Sequence, residues 1–273
     1  MLHLTPPYLL LIHHINLSTI ICQRAIKCNQ HSFLHLSALS AGDSFCHRRS
    51  KICHSLAYLC AIYKSGFKTM SLSIKAIIWD LGNVFVDWNP NHLFKQVIED
   101  EVKRQYFLNN ICTMDWNENQ DAGYPIKQAT EELVAKHPEW REHIEAYYGR
   151  WEEMLGGPIQ GTVEIFRELK EKGHLKHYAL TNWSHELFPT ALRLYDFMHW
   201  FDGRVVSGEE RMRKPQPEFY QVLLDRYNLQ PSDVIFIDDN LRNVKAAEAM
   251  GIKSIRFESP EQLKQELQAL GIL

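Results

Sequence analysis

Ala76-Ile77-Ile78-Trp79-Asp80-Leu81-Gly82-Asn83-Val84-Phe85-Val86-Asp87 runs four apolar residues into a carboxylate, with a glycine two residues on. An apolar run of that length reads as a buried strand. An acid at its carboxyl end sits where an open α/β sheet builds its binding crevice. Far downstream, Val234-Ile235-Phe236-Ile237-Asp238-Asp239-Asn240 repeats the pattern. Two such strands would bring Asp80, Asp238 and Asp239 together. Three carboxylates do not all stay ionised at close quarters without a cation. Oxygen ligands call for a hard divalent metal, Mg²⁺ foremost.

Working outward, five short apolar runs read as strands: 75–80, 177–181, 203–207, 234–238 and 253–257. Helical patterns follow or precede them at 186–195, 217–227, 240–250 and 261–270, with Pro217 suited to a first turn and Gly251 and Gly271 to stops. Strands alternating with helices predict an α/β fold, a Rossmann-like doubly wound parallel sheet covered on both faces. The first two strands lie about 90 residues apart, far beyond a usual crossover. The stretch between them is helical. Leu93, Phe94, Val97, Ile98 and Val102 mark one apolar face, and Trp140, Ile144, Tyr147, Trp151 and Leu155 another. Asn89-Pro90 and Gly156-Gly157-Pro158 bracket it as hinges. The expected division is a core of residues 70–88 and 158–273 with an inserted helical cap, 89–157.

Composition sets residues 1–69 apart. They hold five of the six cysteines, none of the seven tryptophans, and one acid, Asp43, against seven Lys and Arg. Their longest apolar run, Tyr8 to Ile12, is too short to span a bilayer. It lacks the basic start of a secretory signal. A transit peptide competes with the plainer expectation of a non-core extension before a natural start at Met70-Ser71-Leu72-Ser73. The cysteines there form no C-x-x-C pair and suggest no zinc site. The remaining 204 residues are acidic, with 32 acids against 23 Lys and Arg, and carry no nucleic-acid signature.

Four elements occur in order: Asp80 after a strand, Thr181-Asn182 after a strand, Lys214-Pro215 in a loop, and Asp238-Asp239 after a strand. Together they resemble the haloacid dehalogenase superfamily of hydrolases over essentially all of 70–273, with the helical insert similar to its first cap type. The Asp80-Leu81-Gly82-Asn83-Val84 form, with Asp238-Asp239-Asn240 and Asn243, is similar to the subgroup containing α-D-glucose-1-phosphate phosphatases. The resemblance implies that Asp80 is a nucleophile forming an aspartyl-phosphate. Asp80, the Gly82 carbonyl, Asp238 and Asp239 would hold Mg²⁺. Thr181 and Asn182 would offer a hydroxyl and an amide to the phosphoryl group, Lys214 would neutralise its charge, and Asn243 would support the metal shell. Gly82 is expected to let the backbone turn sharply.

One position departs from the phosphatase pattern. The usual second Asp, two residues after the nucleophile, is Gly82 here. General acid–base help is worth about 10²–10⁴-fold, so a good leaving group or a substitute is needed, and Asp87 is the candidate. The expected function is a cytoplasmic Mg²⁺-dependent phosphatase of a small phosphorylated metabolite, a sugar phosphate by resemblance, with no nucleic-acid or membrane partner, as a monomer or homodimer. Trp88, Trp116 and Tyr124 are candidates for reading the substrate. The alternatives are a 2-haloacid dehalogenase, whose halide leaves without a proton but which gains nothing from Asp238 and Asp239, and a non-catalytic phosphate-binding protein.

Overall fold

A computed structural model of the chain describes residues 74–273, and the expectations for residues 1–69 lie outside them. Strand β1, Ala76–Trp79, is buried along its length. A short strand β2, Val86–Trp88, leads into five helices: α1 Pro90–Val97, α2 Glu101–Tyr106, α3 Met114–Asp121, α4 Ile126–Lys136 and α5 Arg141–Gly149. Then come β3 Leu155–Pro158, α6 Gln160–Lys172, β4 Lys176–Thr181, α7 Phe188–Leu194 and β5 Gly203–Val206. The chain closes with α8 Ser207–Glu210, α9 Pro217–Arg226, β6 Val234–Asp238, α10 Leu241–Ala249, β7 Lys253–Arg256 and α11 Pro260–Ala269.

All pairings of the main sheet are parallel and its order is β5-β4-β1-β6-β7. Because successive side chains of a strand point to opposite faces, β1 feeds two apolar layers. Ile77 and Trp79 pack with Val163, Phe166 and Leu169 of α6 and Leu263 and Leu267 of α11. Ala76 and Ile78 pack with Phe219 and Leu223 of α9 and Ala247 of α10. Burying each Ile of β1 contributes about 1.5–3 kcal/mol. The chain order reverses direction at β1, which makes its carboxyl end a switch point and opens the crevice there. The expected doubly wound α/β sheet is therefore present.

Three differences have physical causes. Helix α6 lies outside the helices expected from the sequence, although Val163, Phe166 and Leu169 ahead of Gly173 (φ +67°) carry the helical period and its stop. The hinge Gly156-Gly157-Pro158 is part of β3, which pairs antiparallel with β2. Three- and four-residue strands with two glycines leave too little pattern to read. A Cβ on Gly156 would come within 2.2 Å of Asp87 Oδ2, so a side chain there would displace the Asp87–His92 pair. Val102 is 80% exposed rather than on an apolar face. The first helix ends at Ile98 in extended backbone, and Asp100 caps a new helix by accepting from Lys103 N, so the periodicity restarts. The other predicted stripe is buried from Trp140 to Trp151. Among the described residues, no helix is long and apolar enough to cross a membrane.

Candidate active site

Adjacent parallel strands lie about 4.8 Å apart, so their last residues are neighbours. Trp79 pairs with Ile237 of β6 and with Ala179 of β4. The register therefore sets Asp80 beside Asp238, with Thr181 one step further along β4. Asp80 N donates to Ile237 O at 2.8 Å, which carries the pairing up to the acid itself. Asp80, Asp238 and Asp239 each offer an oxygen within 4.8 Å of one another.

Lys214 reaches this cluster from the loop between α8 and α9. Its Nζ lies 2.7 Å from Asp80 Oδ1 and 2.7 Å from Asp238 Oδ2, and the side chain is fully buried. Burial alone would lower the lysine, but Asp238 and Asp80 outweigh it and hold the ammonium above its ordinary range. Asp238 is further satisfied by Asn240 N at 2.8 Å and by Asn243 Nδ2, 3.1 Å from both its oxygens. Asp80 Oδ1 takes Leu81 N at 2.8 Å as well as Lys214. Burial pushes Asp80 up to about 8, with Lys214 working against the rise and Asp238 and Asp239 adding to it. Asp239 is raised by burial and then by Asp238. Three carboxylates against one lysine leave an excess of negative charge, and hard oxygen donors in that number fit a divalent cation such as Mg²⁺.

Thr181 is 1% exposed, and its Oγ1 has no hydrogen-bond partner among the described residues. A buried orphan hydroxyl beside a carboxylate cluster is the kind of group a ligand satisfies. Asn182 sits differently from expectation. Its Oδ1 accepts from Lys214 N at 2.8 Å and its Nδ2 donates to Lys214 O at 3.0 Å, so both ends of the amide hold the lysine loop. The sharp turn belongs to Asn83, at φ +54°, rather than to Gly82, since Asn tolerates the left-handed region. A Cβ on Gly82 would meet nothing within 4 Å among the described residues. Asp87 lies on β2 rather than in a loop and pairs with His92 Nε2 at 2.9 Å. The structure does not bring it into the Asp80 cluster. Trp88 is half-buried in β2. Trp116 and Tyr124 line a cavity of about 660 Å³ to which Arg211 also contributes.

A group the sequence did not single out also reaches these loops. Glu118 of α3 ion-pairs with Arg213 and Arg242. Its partners lie 95 and 124 residues away, a separation that carries no local signal.

Residues 74–251 match the family model of the haloacid dehalogenase-like hydrolases. The chain belongs to that family. It is a hydrolase whose relatives include named phosphatases. It is 27% identical over 201 residues to a sesquiterpene phosphatase of Aspergillus oryzae, covering 74% of this chain and 98% of the relative. It is 24% identical over 184 residues to a phosphorylated carbohydrates phosphatase of Thermotoga maritima, covering 67% and 84%. Several further relatives are matched over less than half of their own length. Among solved structures, a family enzyme of Bacteroides thetaiotaomicron in complex with magnesium and inorganic phosphate superposes with a TM-score of 0.52. It is 20% identical, covers 68% of this chain and 95% of that one, and so supports the fold.

Proposed function

We propose that this hydrolase is a Mg²⁺-dependent phosphatase acting on a small phosphorylated metabolite through an aspartyl-phosphate. The observation that carries the reading is the meeting of Asp80, Asp238 and Asp239 around Lys214 at the ends of adjacent strands. Both protein donors to Asp80 converge on Oδ1. That leaves Oδ2 to attack phosphorus while the ester oxygen leaves with the alcohol. Water then hydrolyses the acyl phosphate and returns Asp80. Thr181 Oγ1 and Lys214 Nζ would hold the charge developing on the phosphoryl oxygens. Asn182 acts through Lys214, and Asn243 keeps Asp238 in place. Asp80, Asp238, Asp239 and the Gly82 carbonyl would hold the cation, which when bound supplies charge stabilisation to the transferring phosphoryl group.

With Gly82 in place of an acid and Asp87 held by His92, the leaving oxygen takes its proton from water. This favours esters of good leaving groups, and an anomeric sugar oxygen is one. The named phosphatase relatives support a phosphate ester, and sugar phosphates remain the leading class. Closure of the helical insert, 89–157, over the crevice would exclude water and select the substrate. A dehalogenase would need neither Asp238 nor Asp239 facing its nucleophile, and they would raise its pKa.

The test is phosphate release by the full chain across sugar and terpenyl phosphates, with Mg²⁺ and then with EDTA, beside Asp80→Asn. Metal-dependent release lost in the mutant is the expected result. Halide release from a 2-haloacid persisting in EDTA would overturn it.

A further inference from the structure

Three side chains from three separate elements meet beside the segments that carry Lys214 and Asn243. Glu118 Oε2 accepts from Arg213 Nη1 and Glu118 Oε1 from Arg242 Nη2, each at 2.5 Å. Glu118 is 14% exposed and Arg213 24%. Arg213 is the chain neighbour of Lys214, and Arg242 of Asn243. Each arginine Cα therefore stands about 3.8 Å from that of a residue bonded to Asp238. Two guanidinium groups at that position are a ready anion site, because their donor forks match phosphate and carboxylate geometry. Here one internal carboxylate takes them both, one oxygen to each.

We propose that Glu118 is a specificity-determining residue: it occupies the place of a second anionic substrate group and restricts the site to phosphate esters whose leaving group is uncharged. This rests on the phosphatase reading above and deepens it. A bisphosphate or phosphocarboxylate would bring its second charge against an ionised Glu118, and both arginines would already be engaged. The encounter costs like-charge repulsion from Glu118, and the second charge has to compete with that carboxylate for both arginines. An alcohol of a sugar or a terpene brings no such charge. Glu118 acts through the arginines and touches no reacting atom.

A plain structural tie between α3 and the core would use the same contacts, so the test must read substrate preference. Glu118→Gln keeps the size of the side chain and removes its charge. Glucose 1-phosphate and glucose 1,6-bisphosphate differ only by the second phosphate. The wild type should prefer the monophosphate, and Glu118→Gln should raise the relative kcat/KM of the bisphosphate by about tenfold, the effect of freeing charge-assisted donors. Adding Arg242→Gln should cancel the gain. Equal losses on both esters, with the ratio unchanged, would reduce Glu118 to a tie and overturn the proposal.

Binding provides a measurement independent of turnover. Calorimetry at fixed Mg²⁺ with inorganic phosphate and methylenediphosphonate should show about tenfold tighter diphosphonate binding in Glu118→Gln and an unchanged phosphate Kd. Unchanged diphosphonate binding overturns the proposal. If the wild type releases phosphate from no ester, the phosphatase reading fails by itself, and the binding ratio still decides the role of Glu118.

Discussion

The strand ends and the helical insert bring chemistry to one crevice by different means. At the strand ends the backbone does the positioning. Asp80 and Asp238 are placed by parallel register, and Lys214 is pinned by its own backbone through Asn182. In the insert, side chains do it. Phe94, Phe107, Trp116 and Tyr147 form a ladder of rings 4.8 to 5.8 Å apart. The face turned to the core is held by Glu118 on two arginines and by Ser207 Oγ on Asp121 O. A site set by register is stiff and dry, whereas a face set by ion pairs can be exchanged for ligand contacts. On the proposed reading, the molecule keeps its reaction centre constant and leaves selection to the replaceable part.

The strongest way to break this contrast is Lys214→Met. It leaves Asp80 and Asp238 buried without their shared cation, and breaking a buried pair costs about 3–5 kcal/mol. Metal-free urea unfolding should show a loss of that order, and phosphate release should fall by at least about 10³-fold, as for loss of a main electrostatic stabiliser. A variant that unfolds normally yet turns over at wild-type rate would mean that the strand-end cluster is not the reaction centre.

Gly82→Asp probes the same cluster by addition. Space for a Cβ is open there and the residue is not in a left-handed conformation, so the acid can be accommodated. Its carboxyl would stand two residues from Asp80 and supply the missing proton. Esters of poor leaving groups should gain about 10²-fold in kcat, the lower range for general acid catalysis, while esters of good ones change little. An equal effect on both classes would show that protonation of the leaving group does not limit the natural enzyme.

These two regions also explain what could be read beforehand. Asp80, Asp238 and the doubly wound sheet are legible because buried strands spell themselves as apolar runs, and the acids that end them break the run, whereas the role of Lys214 rests on the family resemblance. Helix α6 carries an equally clear period in Val163, Phe166 and Leu169. Asn182 and Asp87 take partners that residue type alone does not reveal. Residue type advertises a capacity to bond, but the partner that uses it is fixed by the fold: Lys214's backbone in one case and His92 in the other. Glu118 could not be found from its neighbours in sequence at all, since only the docking of α3 gives it two arginines.

The docking face should show its own pH response through Asp121. Desolvation pushes this carboxyl up to about 7, with Glu118 adding to the rise and the Ser184 N–H, Arg213 and Asn117 opposing it. A carboxyl with a higher pKa folded than unfolded binds its proton more tightly in the native state. Stability from this group is therefore fullest below the ordinary value of 3.8, declines as pH rises towards about 7, and is level above that. Asp121→Asn imitates the protonated form. Its urea midpoint should match the wild type near pH 4 and exceed it near pH 8. A constant offset at both pH values would remove the docking face as a titrating element.

The smallest effect expected tests whether the interior of the insert is as separate from the chemistry as the contrast requires. Tyr147 is fully buried among Phe94, Trp116 and Tyr148, and its hydroxyl has no hydrogen-bond partner among the described residues. An unmade bond of that kind costs about 1–3 kcal/mol of desolvation. Tyr147→Phe keeps the ring packing and removes the orphan oxygen, so unfolding free energy should rise by about 1 kcal/mol, the low end of that range. Turnover should stay within about twofold of wild type, because the substitution keeps the packing and so creates no strain for a close-packed interior to transmit. If the variant is stabilised and yet turnover collapses, the ring ladder must be coupled to the strand ends. The insert would then take part in the reaction centre and not only in the choice of what enters it.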